Sequence, residues 1–385
     1  MKKKNSKSYN NDWPIVAICY DFDKTLSPKD MQEFSLIPKL NCSSTEFWEE
    51  SNGLARREGM DKILAYMRTI IQKAENQITI RKSDFKKLGK DIELFPGVDT
   101  WFERINAIAQ AEQVNVEHYI ISAGLREIIQ GTLVAKYFEE IYASSFLYDT
   151  YGKPIWPKQV VNYTTKTQYL FRISKDCLDL SDEDSVNEFQ EYDERRIPFS
   201  NFIYIGDSET DIPAMKIVKN GGGISIGVYN PRIRNIERVR KLLKQGRIDY
   251  LMPADYSENS RIENLVVDAL RKIKESYRLT ILNRRQNEYV GELDYLEGYV
   301  AGYIEYLSEI EDELDDEGVK YMQVQNRKRI KSMCKELHAR YDDIIPAESI
   351  DEFMDMIIGR VNVAIKAKKK KENRDATDEK KTENR

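Results

Sequence analysis

Ile15-Val-Ala-Ile-Cys-Tyr-Asp-Phe-Asp-Lys-Thr-Leu-Ser27 is an apolar run that stops abruptly at two aspartates, Asp21 and Asp23, with Thr25 close behind. A continuous apolar run bounded by polar turn residues suits a strand buried on both faces of a parallel sheet. Side chains alternate along an extended segment, so Asp21 and Asp23 can share a side while Phe22 points away. The carboxyl end of such a strand is where open α/β sheets hold their ligands. Taken alone, an Asp-x-Asp of this kind equally describes acidic residues that close a strand at the surface. The rest of the chain decides between the two.

Two later segments repeat the pattern. His118-Tyr-Ile-Ile121 is a short apolar strand that ends in Ser122-Ala-Gly124, with a helix expected from Leu125 to Gln130. A hydroxyl beside a helix N-terminus suits an anionic oxygen, although Ser122 by itself also reads as a plain N-cap. Phe202-Ile-Tyr-Ile205 ends in Gly206-Asp-Ser-Glu-Thr-Asp211 and leads into a helix from Ile212. Between these two strands, Thr164 to Ile173 reads as a helix opened by a threonine cap, with Lys166 in its first turn. A cation there opposes the helix dipole, so it needs either a solvated position or an acidic neighbour. Gly221-Gly-Gly223 lacks phosphate-loop spacing and precedes a strand, so it reads as a helix end and turn. Asp176 to Arg196 reads as an acidic surface insertion.

The totals narrow the chemistry. The chain has 385 residues, 41% hydrophobic and 32% charged, with a net charge of −5. No apolar run approaches the roughly 20 residues needed to span a bilayer, and no signal-like apolar run follows the N-terminal lysines. Four widely spaced cysteines, Cys19, Cys42, Cys177 and Cys334, fit a reducing cytoplasm better than a disulfide framework. With only two histidines, His118 and His338, any metal should be hard and oxygen-bound, such as Mg²⁺. The acidic balance gives no general affinity for nucleic acid.

If the three strands lie parallel, Asp21, Asp23, Ser122, Asp207 and Asp211 gather at one edge with Lys166. Repulsion among the carboxylates would be offset by a divalent cation, and the set suits phosphoryl transfer to a carboxylate. These residues resemble the haloacid dehalogenase superfamily, specifically its Mg²⁺-dependent phosphatases with a helical cap, of the phosphoserine phosphatase type. Asp21-Phe-Asp-Lys-Thr25 resembles the first motif, Ser122 the second, Lys166 the third and Gly206-Asp-Ser-Glu-Thr-Asp211 the fourth.

The resemblance implies an α/β fold, a Rossmann-like parallel sheet with an inserted helical cap, and the residues beyond it add a C-terminal all-helical extension. The expected division is 12–28 for the first strand and motif, 29–94 for the cap and 95–272 for the rest of the core. A helical region follows at 273–367 and a disordered charged tail at 368–385.

The resemblance also implies roles. Asp21 would be the nucleophile and Asp23 the acid and base. Thr25, Ser122 and Ala123 would hold the phosphoryl oxygens, with Lys166 pairing to Asp21 and phosphate. Mg²⁺ would sit among Asp21, Asp207, Asp211 and the backbone carbonyl of Asp23. Asp211 would support the metal's water shell or orient Lys166. Lys158 is the rival for the lysine role, but it sits among turn prolines. Lys24 stands where many relatives have glycine. The expected activity is hydrolysis of a small phosphorylated metabolite selected by the cap, with transfer to an acceptor other than water also open.

The resemblance ends near residue 272. Leu293, Leu296, Val300, Ile304, Leu307 and Ile310 recur at helical spacing, another helix is expected over about 319–341, and Ser349-Ile-Asp-Glu352 reads as a capping box before a third. Such helices could pack on one another and on the core, form a homodimer, or bind a protein partner that makes the phosphatase-like domain regulatory. The basic residues Arg327-Lys-Arg329, Lys331, Lys335 and Arg340 are a weaker pointer to nucleic acid, set against the acidic run at 311–317.

Overall fold

The computed structural model describes residues 10, 12–77, 80–191, 194–233, 236–310, 316–345 and 349–383. The chain folds as two compact units, Met1–Ser276 and Tyr277–Arg385. The first is built on a seven-stranded sheet. Its strands are β1 (Ile15–Tyr20), β2 (Asn115–Leu125), β3 (Phe138–Tyr148), β4 (Pro154–Gln159), β5 (Phe202–Gly206), β6 (Ile224–Tyr229) and β7 (Tyr250–Pro253). Their order is β4-β3-β2-β1-β5-β6-β7. All neighbours run parallel except β4, which returns antiparallel beside β3.

β1 is central because both of its faces are apolar. Val16, Ile18, Tyr20 and Phe22 enter one core cluster, while Ala17 and Cys19 enter the other. Registers Tyr20↔Ile120 and Tyr20↔Ile205 bring the ends of β1 and β5 level with each other, while β2 runs on past them to Leu125. The strand order reverses on either side of β1, the position where such sheets form a ligand crevice.

The insertion after β1 is helical, with main helices Ser44–Glu58, Lys62–Gln77 and Lys82–Leu88. The first starts with a capping box between Ser43 and Glu46 and ends on Gly59 in the left-handed conformation. The last is joined to the core at very short range. A Cβ on Gly131 would fall 1.8 Å from the Lys86 carbonyl oxygen, and one on Gly89 would fall 2.2 Å from that of Ile128. Backbone thus lies directly on backbone at this crossing.

Several expectations are revised. β2 continues to Leu125, and the helix behind it is only Arg126–Ile129, so Ser122 lies inside a strand and is not a helix cap. The helix Thr165–Ser174 is not capped by the Thr164 side chain. Asn162 Oδ1 instead accepts from the backbone N–H groups of Thr164 at 3.1 Å and Thr165 at 2.9 Å. The acidic insertion is gathered around Arg172, whose guanidinium donates to the carbonyls of Cys177, Asp179, Leu180 and Asp182.

The helix expected over 293–310 is the end of a longer one, Arg261–Ile310, because no proline interrupts the sequence before it. In the second unit, Tyr289, Leu293, Leu296 and Val300 of that helix form a core with Ile330, Cys334, Leu337 and Tyr341, on or just beyond Asp316–Arg340. Phe353, Met354, Ile357 and Val361 of the helix Ile350–Glu383 complete it. Each set repeats at three- and four-residue spacing, which places one apolar stripe per helix. Two residues of the expected basic face are paired: Lys331 with Asp351 and Arg340 with Glu292, each at 2.6 Å. Most of the acidic run at 311–317, and the side chains of Leu307 and Ile310, lie outside the described residues.

The third helix runs through to Glu383, in place of the disordered tail expected from 368. That segment is rich in lysine and glutamate and contains no proline or glycine, so nothing in it breaks a helix. Among the described residues, no helix is long and apolar enough to cross a membrane.

Candidate active site

The turn after β1 builds the site from its own backbone. The carbonyl of Phe22 accepts from the N–H groups of Thr25, Leu26 and Ser27, which folds the chain back within one turn. Lys24 takes a left-handed φ of 58°, a conformation glycine adopts freely and lysine does not. Its ammonium is held 2.6 Å from Asp30. The charge is therefore paired at the rim.

Asp21 is fixed through its backbone N–H, which donates to the Ile205 carbonyl at 2.9 Å. Lys166 Nζ lies 3.1 Å from Asp21 Oδ1 and 2.6 Å from Asp211 Oδ1, with Lys166 and Asp211 fully buried. The contact to Asp21 is an ion pair by distance but not a directed hydrogen bond, and Oδ1 has no hydrogen-bond partner. Lys158, in contrast, sits exposed on β4, so of the two lysines it is Lys166 that meets the aspartates.

Burial alone would lower the Lys166 pKa, and the Asp21 and Asp211 carboxylates more than reverse that. Burial pushes Asp21 up to about 6 against the pull of Lys166, with Asp211 adding to the rise. Asp207 is pushed well up by burial and then by Asp21 and Asp211.

One carboxylate oxygen each from Asp21, Asp207 and Asp211 lies within 4.8 Å of the others. Three buried or half-buried carboxylates facing one ammonium leave an excess of negative charge that a hard divalent cation fits. Asp211, however, uses both oxygens within the protein. Oδ1 accepts from Lys166 and, at 2.9 Å, from the Tyr204 hydroxyl. Oδ2 accepts from the backbone N–H and hydroxyl of Ser208 at 3.2 and 3.0 Å. Asp21 and Asp207 are left as the carboxylates to hold a cation.

The Asp23 carboxylate stands apart from this cluster. Its Oδ1 accepts from the Met31 N–H at 2.8 Å. Burial, then Asp30 and Asp21, push its pKa well up, which favours its protonated form. Thr25 is fully buried, and its hydroxyl has no hydrogen-bond partner. An orphaned hydroxyl beside the aspartates is a group built to meet something absent from the chain itself. The Ser122 hydroxyl accepts from the Gly124 N–H at 3.2 Å. The Ala123 carbonyl accepts from the hydroxyl of Tyr66, a residue of the helical insertion, at 2.7 Å. Asn162 Nδ2 donates to Asp61 Oδ2 at 3.1 Å, a second link between insertion and core.

Sequence reasoning does not single out Tyr204, Tyr66 or Met31. A tyrosine within a buried strand reads as core, and a backbone N–H carries no sequence signature.

Several known proteins share parts of this chain. A curated protein of Borreliella burgdorferi, described only as uncharacterized, is 26% identical over 286 residues, which is 66% of this chain and 96% of the relative. Among solved structures, a haloacid dehalogenase family hydrolase from Salmonella enterica serovar Typhi is 16% identical, covering 63% of this chain and 69% of its own, with a TM-score of 0.41. A probable phosphoserine phosphatase from Vibrio cholerae is 12% identical, with 69% of each chain covered and a TM-score of 0.43. A phosphoserine phosphatase carrying a phospho-aspartyl intermediate analogue is 13% identical, covering 66% of this chain and 98% of its own, at 0.39. Nothing about this chain's substrate follows from scores of that size. The sequence model of the haloacid dehalogenase-like hydrolases matches residues 18–216, more than half of the chain, and on that match the protein belongs to this hydrolase family.

Proposed function

We propose that the protein is a Mg²⁺-dependent phosphomonoester hydrolase acting on a small phosphorylated metabolite through an aspartyl-phosphate at Asp21. The observation that carries this reading is the grouping of Asp21 with Lys166 at 3.1 Å, on a strand end whose turn also carries the buried, unpartnered Thr25 hydroxyl.

Asp21 is ionised above about pH 6 and is therefore available as a nucleophile at neutral pH. Its oxygen attacks phosphorus as the phosphorus–oxygen bond to the leaving group breaks, and Asp23 gives its proton to the departing oxygen. Water then attacks the phosphorus, Asp23 takes up the water's proton, and the Asp21 carboxylate is released with inorganic phosphate. Lys166, the Thr25 hydroxyl and Ser122 neutralise and orient the phosphoryl oxygens, with the backbone at Ala123 beside them. A Mg²⁺ held by Asp21, Asp207 and the Asp23 carbonyl would supply charge neutralisation to the transferring group. The helical insertion, tied down through Tyr66 and Asp61, limits the substrate to a small molecule.

The test is phosphate release from an aryl phosphate and a panel of phosphorylated metabolites, with and without Mg²⁺, for the wild type and Asp21→Asn. Release that needs Mg²⁺ and disappears in Asp21→Asn supports the reading. No release from folded, Mg²⁺-supplied protein overturns it.

A further inference from the structure

We infer that Tyr204 is a positioning residue for the reaction: by sharing Asp211 Oδ1 with Lys166, its hydroxyl sets where the Lys166 ammonium stands relative to Asp21. The inference rests on the reading of Lys166 as the partner of the transferring phosphoryl group.

Lys166 has three donors and a flexible four-carbon stem, so its reach alone does not fix the position of its charge. Asp211 fixes it, and Asp211 is itself fixed on four sides. Ser208 holds Oδ2 through its backbone N–H at 3.2 Å and its hydroxyl at 3.0 Å. Lys166 and Tyr204 converge on Oδ1 at 2.6 and 2.9 Å. Gly206 closes the remaining side, since a Cβ there would fall 2.7 Å from Asp211 Cγ.

Tyr204 rises from β5, two residues before the strand ends at Gly206, and is fully buried in the same core cluster as Cys19, Tyr119 and Met215. Its ring position is therefore set by the sheet, and its hydroxyl reaches Asp211 from a rigid base. Without that hydroxyl, Oδ1 loses its neutral donor and holds the Lys166 ammonium more strongly, which draws it away from Asp21. The phenol thus shares the negative charge of Oδ1, weakens its hold on the ammonium, and leaves Lys166 poised between Asp211 and Asp21.

Four proteins decide the matter: wild type, Tyr204→Phe, Asp211→Asn and the double variant, each assayed with an aryl phosphate and saturating Mg²⁺. Tyr204→Phe is expected to lower kcat by about 10- to 100-fold with KM within about twofold. In the Asp211→Asn background the same change should cost little more, because the negative charge through which the phenol acts on Lys166 is already gone. An unchanged kcat, or an undiminished loss in the Asp211→Asn background, overturns the inference.

If Tyr204→Phe does not fold, site-specific fluorotyrosine at 204 keeps the ring and changes the donor strength. Here kcat should follow the phenol's acidity, and indifference to it overturns the inference. If even the wild type releases no phosphate, the hydrolase reading fails separately, and the Lys166 Nζ–H resonance decides this one. A shifted or fast-exchanging resonance in the variant supports the positioning role, and an unmoved one overturns it.

Discussion

The backbone N–H of Met31 donates to Asp23 Oδ1 across 2.8 Å, so the first residue of the helical insertion's opening turn holds the second carboxylate of the first motif. Met31 is fully buried and reaches the other side of the site as well, where a Cβ on Gly124 would lie 2.1 Å from its Cε and 3.0 Å from Asp23 Oδ2. Gly124→Ala should therefore push Met31 aside and crowd Asp23. We expect a stability loss of about 1–3 kcal/mol in urea unfolding and a larger proportional fall in kcat than in KM. Unchanged turnover would show that Asp23 tolerates the crowding.

Lys166→Ala removes the cation that stands between the buried aspartates Asp21 and Asp211. Leaving such charge uncompensated costs about 3–5 kcal/mol. Denaturant unfolding should show that loss at neutral pH, partly recovered by Mg²⁺. Activity on an aryl phosphate should fall below detection even where the protein remains folded.

The site's stability should depend on pH in a definite direction. Asp21 binds its proton more tightly folded than unfolded, being raised from 3.8 to about 6 mainly by burial. Such a group adds no cost below about pH 4, and its cost to folding grows as pH rises toward 6 and is complete above it. Asp207 shifts in the same direction. A cation that replaces those protons removes the cost, so the rise in Tm on adding Mg²⁺ should be small at pH 5 and larger at pH 7. A Tm shift independent of pH would contradict this.

Lys24→Gly relieves a left-handed backbone at φ 58° and breaks the ion pair to Asp30. Relief of about 1–2 kcal/mol is opposed by the chain entropy of glycine and by loss of a rim pair, each up to about 1 kcal/mol. The expected outcome is a Tm change of a few degrees at most and turnover within about threefold of wild type.

Arg172→Leu should loosen the acidic insertion. Its buried guanidinium holds four carbonyls between Cys177 and Asp182, and leucine can hold none. Limited proteolysis should then cut within 177–191 well before the sheet unfolds. Protease resistance equal to that of wild type would show that the segment is held by other contacts.

Much of this site is legible in sequence because each strand announces its own end. The apolar runs before Asp21, Ser122 and Asp207 are buried on both faces, and only a parallel sheet serves three such runs at once. Lys166 is preferred over Lys158 because its segment begins a helix, and the structure brings Lys166 to the aspartates. The misreadings have a common cause. Thr164 looks like a cap and Ser122 like a helix start because local signals name residue types, whereas the competing partners, Asn162 and the β3 ladder, are chosen by the fold. Tyr204 is illegible for the opposite reason: its ring satisfies every requirement of a core residue, and only the far end of the side chain carries its other role. The long helix Arg261–Ile310 and the helical run to Glu383 exceed their sequence-based expectations because the apolar pattern lapses between about 274 and 288 and again beyond 365, while the absence of proline leaves the helix free to continue.

The crossing of Gly89 and Gly131 sets how the insertion can move. Where backbone touches backbone there is no side chain to re-pack, so that crossing can separate only by breaking as a unit. The helices from Ser44 to Gln77 are held to the core through the side-chain hydrogen bonds of Tyr66 and Asp61, which can break and re-form. Opening of the insertion is therefore expected there, while Lys82–Leu88 stays with the sheet. Amide exchange should divide along the same line, fast on the opening side and slow on the anchored one.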